Sequence, residues 1–414
     1  MANIRKLREY TGDKPWRLDY YDNQGKRKRQ HFRTKREAET VRSKIETDLN
    51  RGTYIDRKLG ESTTVAQLWE RYLYRLETVG ASGRGATGAK TLQTYRVHAG
   101  NYILPRWEHY PLSNITYADV SEWVTSLQSK KTGDGVGPET RKAVGRLFVA
   151  MLDFATQEAI IPRNPARDAA GRTPFIPGGR ELKRARSEPV FLTMSQLVEL
   201  SRHAEPWSDL ILFLGTTGLR WGEVSALRAR DLDLDPEMPS VRVERAYAEV
   251  TGAGMQLGPT KTGEARTVPL MCDLLPQLQN RIDDAGGEDG LLFPSRDGTP
   301  LRNTNVTRRV LRPAAQRLAE SASTPREAER LASLGFHDLR HTAISLAIKL
   351  GCNVKTVQRI AGHATATVTL DRYGHLYPDD LHDVARGMSG LLMDTGWTLG
   401  SDLAPESQEV PMAS

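Results

Sequence analysis

A proline- and glycine-rich stretch near the middle of the chain constrains the fold most strongly. Residues 162–189 end in a basic run, RELKRAR, which follows four prolines and two adjacent glycines: Pro162, Pro165, Pro174, Pro177, Gly178 and Gly179. Proline fixes one backbone angle and removes a hydrogen-bond donor, so this composition favours a loop. Since 414 residues exceed one typical domain, we predict a linker at 166–189 between modules at 64–165 and 190–390.

The basic charge is concentrated in the first 63 residues. Residues 1–63 contain 17 Lys and Arg against 10 Asp and Glu, which gives +7, the net charge of the whole chain. A terminal module that carries the entire basic excess is typical of nucleic-acid binding. The alternative is a basic face that is merely solvated.

The pattern of this N-terminal module, 1–63, predicts a small sheet with one packed helix. Residues 15–33 alternate through WRLDYY, turn at DNQG and return through KRKRQHF, as a β-hairpin does. Thr34 can cap a helix over about 35–49 with Ala38, Val41 and Ile45 on one face. The residues of this module that we expect to contact DNA are Lys26, Arg27, Lys28, Arg29 and Arg33.

Residues 64–165 predict a helical module with a moderately basic face. Apolar residues recur at helical spacing in three places: Leu68, Tyr72 and Leu76; Val120, Trp123, Val124 and Leu127; and Val144, Leu147, Phe148 and Met151. Pro138 can open the last of these helices. KTLQTYRVHAGNYILPRW is a fourth helical candidate, which we expect to break at Pro105. The expected DNA-contacting residues here are Arg96, Arg141, Lys142 and Arg146.

Residues 190–390 predict a mixed module in which helices dominate. Thr193 followed by Gln196 forms a capping-box pattern. SVRVERAYAEV and TKTGEARTVPL alternate like strands and flank a glycine-rich turn. Residues 391–414 contain four acidic residues and no basic one, and we expect a flexible tail.

The remaining composition narrows the class of protein. The chain has two cysteines, Cys272 and Cys352, without a metal-type spacing, which fits a reduced, cytosolic protein. The chain has no run of 18 apolar residues, so we predict no membrane span. Its first residues lack the apolar segment of a signal peptide. HDLRH at 337–341 imitates a zinc-peptidase motif, although Asp338 is shorter than the usual Glu and Arg340 would place a cation beside the metal.

Six residues in the last module form a more informative set. TTGLRWGEV carries Arg220, GPTKTGEAR carries Lys261, GFHDLRHT carries His337 and Arg340, and IAGHATATVTLDRYGHL carries His363 and Tyr373. In this order they resemble the catalytic half of the tyrosine recombinases, or phage integrases: Arg, a β-hairpin Lys, His-x-x-Arg, a further His and a nucleophilic Tyr. The resemblance covers about 190–390, and the two earlier modules resemble the family's arm-site-binding and core-site-binding domains more loosely.

The chemistry of these residue types suits phosphodiester cleavage. Two arginines, Arg220 and Arg340, can clamp phosphate oxygens with their planar charged forks, and His363 can add a donor. A tyrosine hydroxyl has a pKa near 10, so Tyr373 needs a proton acceptor, for which His337 is the candidate. Lys261 can protonate the leaving 5′ oxygen. Glu223 is expected to orient Arg220, and we expect no metal ion and no other cofactor.

The resemblance implies the fold and the function together. It implies a multidomain, mainly α protein with small β-sheets and a mixed α+β catalytic domain. It implies a site-specific recombinase that cuts and rejoins DNA through a 3′-phosphotyrosine intermediate, integrating or excising a phage or mobile element. The implied partners are double-stranded DNA with core-type and arm-type sites, three further copies in a tetramer on DNA, and DNA-bending or directionality factors, in the cytoplasm and nucleoid of a bacterial host. The alternatives are a catalytically idle DNA-binding protein of the same fold and a zinc peptidase.

TLDRYGHLYPDD holds two candidate nucleophiles, Tyr373 and Tyr377. Four residues apart, they would share a face of one continuous helix. Pro378 disfavours helical geometry at Tyr377, so we expect Tyr377 at the end of the element and Tyr373 as the nucleophile.

Overall fold

The structure is a computed structural model that describes residues 2–7, 12–22, 25–52, 54–81, 83, 85–129, 132–185, 188–377, 388, 389 and 391. By internal contacts the chain forms two compact units, Met1–Ser187 and Glu188–Ser414. No helix in these described ranges is long and apolar enough to cross a membrane. The expected acidic tail, apart from Leu391, and Pro378 lie outside the described residues.

The first unit begins with a three-stranded antiparallel sheet. Its strands are β1 (Asn3–Lys6), β2 (Trp16–Tyr21) and β3 (Arg27–Phe32), in that order. Helix α1 (Lys35–Asn50) starts at a capping box in which Thr34 and Glu37 exchange hydrogen bonds. Leu18 and Tyr20 of β2 and Ile45 of α1 are buried in one cluster. The predicted hairpin and helix are confirmed, whereas β1 was not predicted.

Helices form the rest of this unit. They are α2 (Arg57–Ser62), α3 (Val65–Thr78), α4 (Ala89–His98), α5 (Leu104–Trp107), α6 (Tyr117–Thr125), α7 (Pro138–Gln157) and α8 (Gly179–Ala185). The apolar residues named above at 68–76, 120–127 and 144–151 are all buried in one cluster, and Pro138 opens α7 as predicted.

Two local expectations for this unit are wrong. The helix does not break at Pro105, because a π-helical turn over Ala99–Ile103 joins α4 to α5 and Pro105 lies in the first turn of α5. The π-helical turn has a longer hydrogen-bonded loop than an α-helical turn. It leaves room for the proline ring and needs no hydrogen bond from the proline nitrogen. The stretch 166–189 is not all loop, since it contains α8, and Ala166 and Phe175 are buried with the helices. The boundary of the predicted linker stays a prediction.

The second unit is mixed, with more of its described residues in helices than in strands. Its helices are α9 (Met194–Arg202), α10 (Ser208–Thr217), α11 (Trp221–Val224), α12 (Leu275–Asp284), α13 (Asn303–Val306), α14 (Arg312–Glu320), α15 (Pro325–Ala332), α16 (Phe336–Lys349), α17 (Val354–Ala361) and α18 (Ala366–Tyr373). The capping box of Thr193 and Gln196 opens α9 as predicted. The main core is separate from a smaller cluster around α17 and α18.

The strands of this unit belong to two small sheets. They are β4 (Leu232–Asp233), β5 (Ser240–Val243), β6 (Arg245–Val250), β7 (Gly254–Pro259) and β8 (Arg266–Pro269). Strand β5 lies between β4 and β8, while β6 and β7 form a two-stranded sheet. The stretch SVRVERAYAEV, expected as one strand, is therefore divided at Glu244 between the two sheets. The mainly α fold with small sheets agrees with the expected fold class.

Candidate active site

Three arginines converge on the C-terminal end of α17. Arg266 donates from Nε to the carbonyl of Ile360 at 3.0 Å, Arg340 from Nη2 to the carbonyl of Ala361, and Arg220 from Nη2 to the carbonyl of Gly362 at 3.0 Å. These residues come from β8, α16 and the N-cap of α11. The last carbonyls of a helix lack intrahelical partners and carry partial negative charge, so the end of α17 attracts cations.

Gly362 allows this convergence. It has a φ of 59°, in the left-handed region that favours glycine, and it caps α17. A β-carbon at this position would lie 2.9 Å from Nη1 of Arg266. Any other residue would therefore push the Arg266 guanidinium away from the helix end.

Glu223 holds two of the arginines. Its carboxylate accepts two hydrogen bonds from the Arg266 guanidinium, at 3.1 and 2.6 Å, and one from Nη1 of Arg220 at 2.9 Å. Burial alone would raise the pKa of the Glu223 carboxyl, but Arg266 and Arg220 outweigh burial and hold that pKa below its usual value. Glu223 is thus an ionised side chain that orients Arg220, as expected.

Arg340 lies deeper than Arg220. Its side chain is 2% exposed, and Nη1 donates to the carbonyl of Gly218 at 2.6 Å. Burial, with the nearby charge of Arg220, lowers the pKa of Arg340 to about 9, so the group still carries its charge at neutral pH. The Arg220 side chain is 25% exposed and can be reached from solvent.

His363 follows directly on the end of α17. Its Nδ1 lies 2.9 Å from the hydroxyl of Thr369, which is fully buried, and its ring stacks on Tyr373 with 6.2 Å between ring centroids. Burial and the charges of Arg340 and Arg220 lower the pKa of His363 to about 4. The imidazole is therefore neutral at physiological pH.

Tyr373 is the last residue of α18 and is 0% exposed. Its hydroxyl lies 2.6 Å from Nδ1 of His341, which is itself 6% exposed. Burial raises the pKa of Tyr373, although the positive charges of Arg340 and Arg372 oppose this effect. Burial and the neighbouring His337 and Arg372 lower the pKa of His341 to about 3. The sequence reading missed His341 as a partner of Tyr373. HDLRH did mark it, but only as a possible zinc ligand.

Tyr377 has a different environment. The helix ends at Tyr373, a 3-10 turn spans Gly374–Leu376, and Tyr377 follows in extended backbone. Its ring packs against the smaller apolar cluster, and within the described residues its buried hydroxyl has no hydrogen-bond partner. The assignment of Tyr373 as the nucleophile stays a prediction that this contrast supports.

The structure does not bring His337 or Lys261 to the Tyr373 hydroxyl. His337 is exposed, and its Nε2 lies 3.4 Å from Nη1 of Arg372. Enough protein still surrounds the ring that desolvation, aided by Arg340 and Arg372, lowers its pKa. Lys261 is exposed between β7 and β8, and no hydrogen bond within the described ranges joins it to the other five residues.

A basic cavity adjoins the end of α17. It has a volume of about 510 Å³ and is lined by His363, Gly362 and Arg266, by residues of the loop that carries Lys261, and by three further basic side chains: Arg242, Lys355 and Arg359. The loop residues on its wall include Thr262 and Glu264 but not Lys261 itself.

The side chains of the HDLRH stretch have partners within the protein. Asp338 accepts hydrogen bonds from the backbone N–H groups of Gly335 at 2.9 Å and Val190 at 3.1 Å, so it caps α16. Nδ1 of His341 faces Tyr373. Over the ranges described above, no group of three or more His, Cys, Asp or Glu side chains could hold a metal ion.

The basic residues expected to contact DNA occupy several faces of the first unit. On the face of the sheet opposite Leu18 and Tyr20, four arginines surround Asp19: Arg5 at 3.4 Å, Arg17 at 3.0 Å, and Arg27 and Arg29 at 3.3 Å. Lys28 lies on the other face, half-buried and paired with Asp22 and Asp56, because side chains alternate along a strand. Lys26 is exposed before β3, and Arg33 is exposed and pairs with Asp13 at 2.9 Å.

The other four expected residues lie on α4 and α7. Arg96 is exposed and pairs with Glu77, and Arg141 is half-buried and pairs with Glu181. Lys142 is half-buried, whereas Arg146 is exposed. Contact with DNA stays a prediction for all nine residues.

Known proteins are similar to this chain in sequence. Residues 191–379 match the phage integrase family. The chain is 27% identical over 307 residues to a putative prophage phiRv2 integrase of Mycobacterium tuberculosis, covering 73% of this chain and 74% of that protein. It is 25% identical over 399 residues to a tyrosine recombinase XerC-like protein of Caldanaerobacter subterraneus subsp. tengcongensis, covering 90% and 94%.

A solved structure shares the fold. The Tn1549 transposon integrase, in complex with a circular intermediate DNA, superposes with a TM-score of 0.59 at 22% identity and covers 80% of this chain and 100% of that chain. The segment 191–379, which matches the family, contains the arginines around the end of α17, His363 and Tyr373. The segment 191–379, which carries this site, is a phage integrase domain, and the protein is a tyrosine site-specific recombinase.

Proposed function

We propose that this recombinase cuts one DNA strand by attack of the Tyr373 hydroxyl on a backbone phosphate. The arrangement that supports this most is the position of Tyr373, stacked on His363 beside the end of α17 where Arg220 and Arg340 meet. The Tyr373 hydroxyl gives its proton to His337, the acceptor expected from the sequence, and its oxygen forms a bond to phosphorus. The bond from phosphorus to the 5′ oxygen breaks, and that leaving oxygen takes up a proton. The product is a 3′-phosphotyrosine, and reversal of the step by another 5′ hydroxyl rejoins the strand.

Arg220 and Arg340 stabilise the charge on the transferring phosphate. Arg220 uses its two Nη atoms on Glu223 and Gly362, which leaves further N–H donors of its guanidinium for a phosphate oxygen. Arg340 is nearly buried, so its charge acts in surroundings of low polarity, where electrostatic stabilisation is stronger than in water.

His363 is assigned as a neutral donor. If Thr369 donates its hydroxyl proton to Nδ1, the remaining ring nitrogen, Nε2, carries the hydrogen and can donate to a phosphate oxygen. The lowered pKa of His363 keeps this tautomer uncharged at neutral pH.

Lys261 is proposed as the acid that protonates the leaving 5′ oxygen. Its loop borders the basic cavity beside His363, so a shift of that loop could bring the ammonium to DNA bound there. Lys261→Ala should lose cleavage of ordinary DNA and recover it when the leaving oxygen is replaced by sulfur, which leaves without a proton. Equal defects on the two substrates would remove Lys261 from this role.

Double-stranded DNA is the proposed partner of both units. The transposon integrase with this fold is bound to a circular intermediate DNA, and the arginine-rich face of the N-terminal sheet is suited to a phosphate backbone. We assign 1–63 to arm-type sites, 64–165 to core-type sites and 190–390 to catalysis. A tetramer on DNA, bending and directionality factors, and action in the bacterial cytoplasm and nucleoid complete the proposal.

The test is formation of a covalent complex with DNA. The full chain is incubated with duplex DNA that carries a candidate core site and a nick that lets the cut end diffuse away. A denaturing gel should then show a covalent protein–DNA band. In Arg220→Ala the rate at which this band forms should fall by about 10² to 10³. Binding of this DNA without any covalent band would favour the idle DNA-binding alternative.

A further inference from the structure

The hydrogen bond between His341 and Tyr373 has a consequence for reactivity. The two atoms lie 2.6 Å apart, and both side chains are almost completely covered. We assign the phenol as the donor, because a neutral imidazole offers an acceptor nitrogen and the low pKa of His341 keeps the ring neutral. The hydroxyl that should attack DNA is thus bonded inside the protein.

A tyrosine with no exposed surface cannot reach a phosphate that arrives from solvent. In-line attack needs the reacting atoms within about 3–3.5 Å of each other. Tyr373 must therefore leave its present position, and its hydroxyl must part from His341. This hydrogen bond therefore has to be broken before chemistry.

The surroundings of Tyr373 permit such a displacement. Tyr373 packs in a small cluster whose other buried members are Ile344, Ile348, Val357 and Ala361, apart from the main core of the unit. Helix α18 has only eight residues, and Val368 and Leu370 on it are exposed. Moving α18 would uncover a few side chains without opening the main core, which is how local opening at low cost occurs.

We propose that His341 is a positioning residue that holds Tyr373 in a buried resting position until DNA occupies the site. The proposal rests on Tyr373 being the nucleophile. Arg340, the neighbour of His341 in α16, belongs to the arginine group that a phosphate would engage, so arrival of DNA acts next to this contact. His341 accepts a hydrogen bond from Tyr373, but its low pKa makes it a weak base. The proposed role is therefore to hold Tyr373 in place and not to act as a general base.

The test uses variants of His341 in the full chain. His341→Phe keeps a ring without an acceptor, His341→Ala removes the side chain without adding bulk, and His341→Asn keeps a polar atom near the position of Nδ1. Ser345→Ala is the matched control. It lies one turn along α16, and its hydroxyl bonds to the carbonyl of Thr342 rather than to Tyr373.

The first measurement is nitration of tyrosine by tetranitromethane without DNA. Cleavage after Arg372 releases one peptide that contains both Tyr373 and Tyr377, so fragmentation in a mass spectrometer reports the two from the same molecule. In the Phe and Ala variants Tyr373 loses its hydrogen bond to His341. Nitration of Tyr373 relative to Tyr377 should therefore rise about fivefold, the factor that corresponds to the net free energy of one hydrogen bond. The Asn and Ser345→Ala variants should match the wild type.

The second measurement is the initial rate of covalent adduct formation on nicked DNA. The Phe and Ala variants should form the adduct up to about fivefold faster, since DNA no longer has to break the hydrogen bond. Unchanged nitration in both variants would overturn the proposal. So would a rate at least tenfold lower in both variants that Asn restores, because His341 would then act in the reacting arrangement.

The two proposals fail in different ways. An adduct on a residue other than Tyr373 would refute the proposed nucleophile whatever the His341 variants do. An adduct on Tyr373 with no response of nitration or rate to His341 substitution would refute only the holding role.

Discussion

Arg266 and Glu223 form a two-point ion pair in the interior of the second unit, with Nη1 to Oε1 at 3.1 Å and Nη2 to Oε2 at 2.6 Å. Glu223 is 1% exposed, and the same carboxylate also holds Arg220. One buried anion therefore supports two of the three cations at the end of α17. Arg220, the proposed phosphate-binding group, is thus held by a carboxylate that is itself almost completely buried.

Replacing Glu223 with Gln should destabilise the protein and disorient Arg220. Removing one partner of a buried ion pair leaves uncompensated charge and typically costs about 3–5 kcal/mol. The free energy of unfolding from urea denaturation measures this cost. Glu244→Gln is the matched control in the same unit, because Glu244 is exposed and pairs with Arg242 and Arg245, and its loss should cost below about 1 kcal/mol. Equal losses in the two variants would contradict the supporting role of Glu223.

Thr369 should act through His363. Thr369→Val keeps the shape of the side chain but removes the hydroxyl that faces Nδ1, so the tautomer with hydrogen on Nε2 loses its support. The rate of adduct formation should fall by up to about tenfold, as expected for the loss of one hydrogen bond worth roughly 1.4 kcal/mol. Thr369→Ser keeps the hydroxyl and should stay near the wild-type rate. A Val variant as fast as the Ser variant would exclude this support.

His341 should stay neutral in the folded protein far below its ordinary pKa. Burial and nearby cations lower that pKa to about 3, while the unfolded chain titrates near 6.5. Between these values the unfolded state binds a proton that the folded state does not. Stability should therefore fall as the pH drops from about 6.5 towards 3, and rise again with increasing pH.

Nuclear magnetic resonance of histidine ring carbons measures this directly. The resonance that disappears in His341→Phe should not move between pH 8 and pH 5. A midpoint near 6.5 for that resonance would show that the ring is not desolvated as the structure has it.

The arginine-rich face of the N-terminal sheet, around Asp19, should contribute to DNA affinity. Arg29 lies on that face beside Asp19, whereas Lys44 is exposed on α1. Arg29→Ala should weaken DNA binding and lower the slope of log affinity against log salt by about 0.9 if it neutralises one phosphate. Lys44→Ala should leave the slope unchanged. Titrations at several salt concentrations that give the same slope for both variants would contradict this interface.

Features set by neighbouring residues could be predicted from the sequence. The helix starts at Thr34 and Thr193 follow from a side chain and a partner three residues later. The hairpin of β2 and β3 follows from alternation and turn chemistry. Alternation also places Lys28 on the face of β3 opposite Arg27 and Arg29.

Contacts between distant elements could not be predicted. The approach of His341 to Tyr373 depends on how α18 packs against α16, and no spacing encodes that packing. The same holds for Arg266, whose partners at Glu223 and Ile360 lie far away in the chain. Strand β1 was missed because its four residues carry too little alternation to identify them.

The most direct test of the central claim is to locate the DNA-linked residue. The covalent complex is trapped on nicked DNA and trimmed with nuclease, and the tryptic peptide that begins at Tyr373 is fragmented in a mass spectrometer. The account predicts a nucleotide remnant on Tyr373, no adduct in Tyr373→Phe and a normal adduct in Tyr377→Phe, since Phe removes only the hydroxyl. A remnant on Tyr377, or an undiminished adduct in Tyr373→Phe, would contradict it.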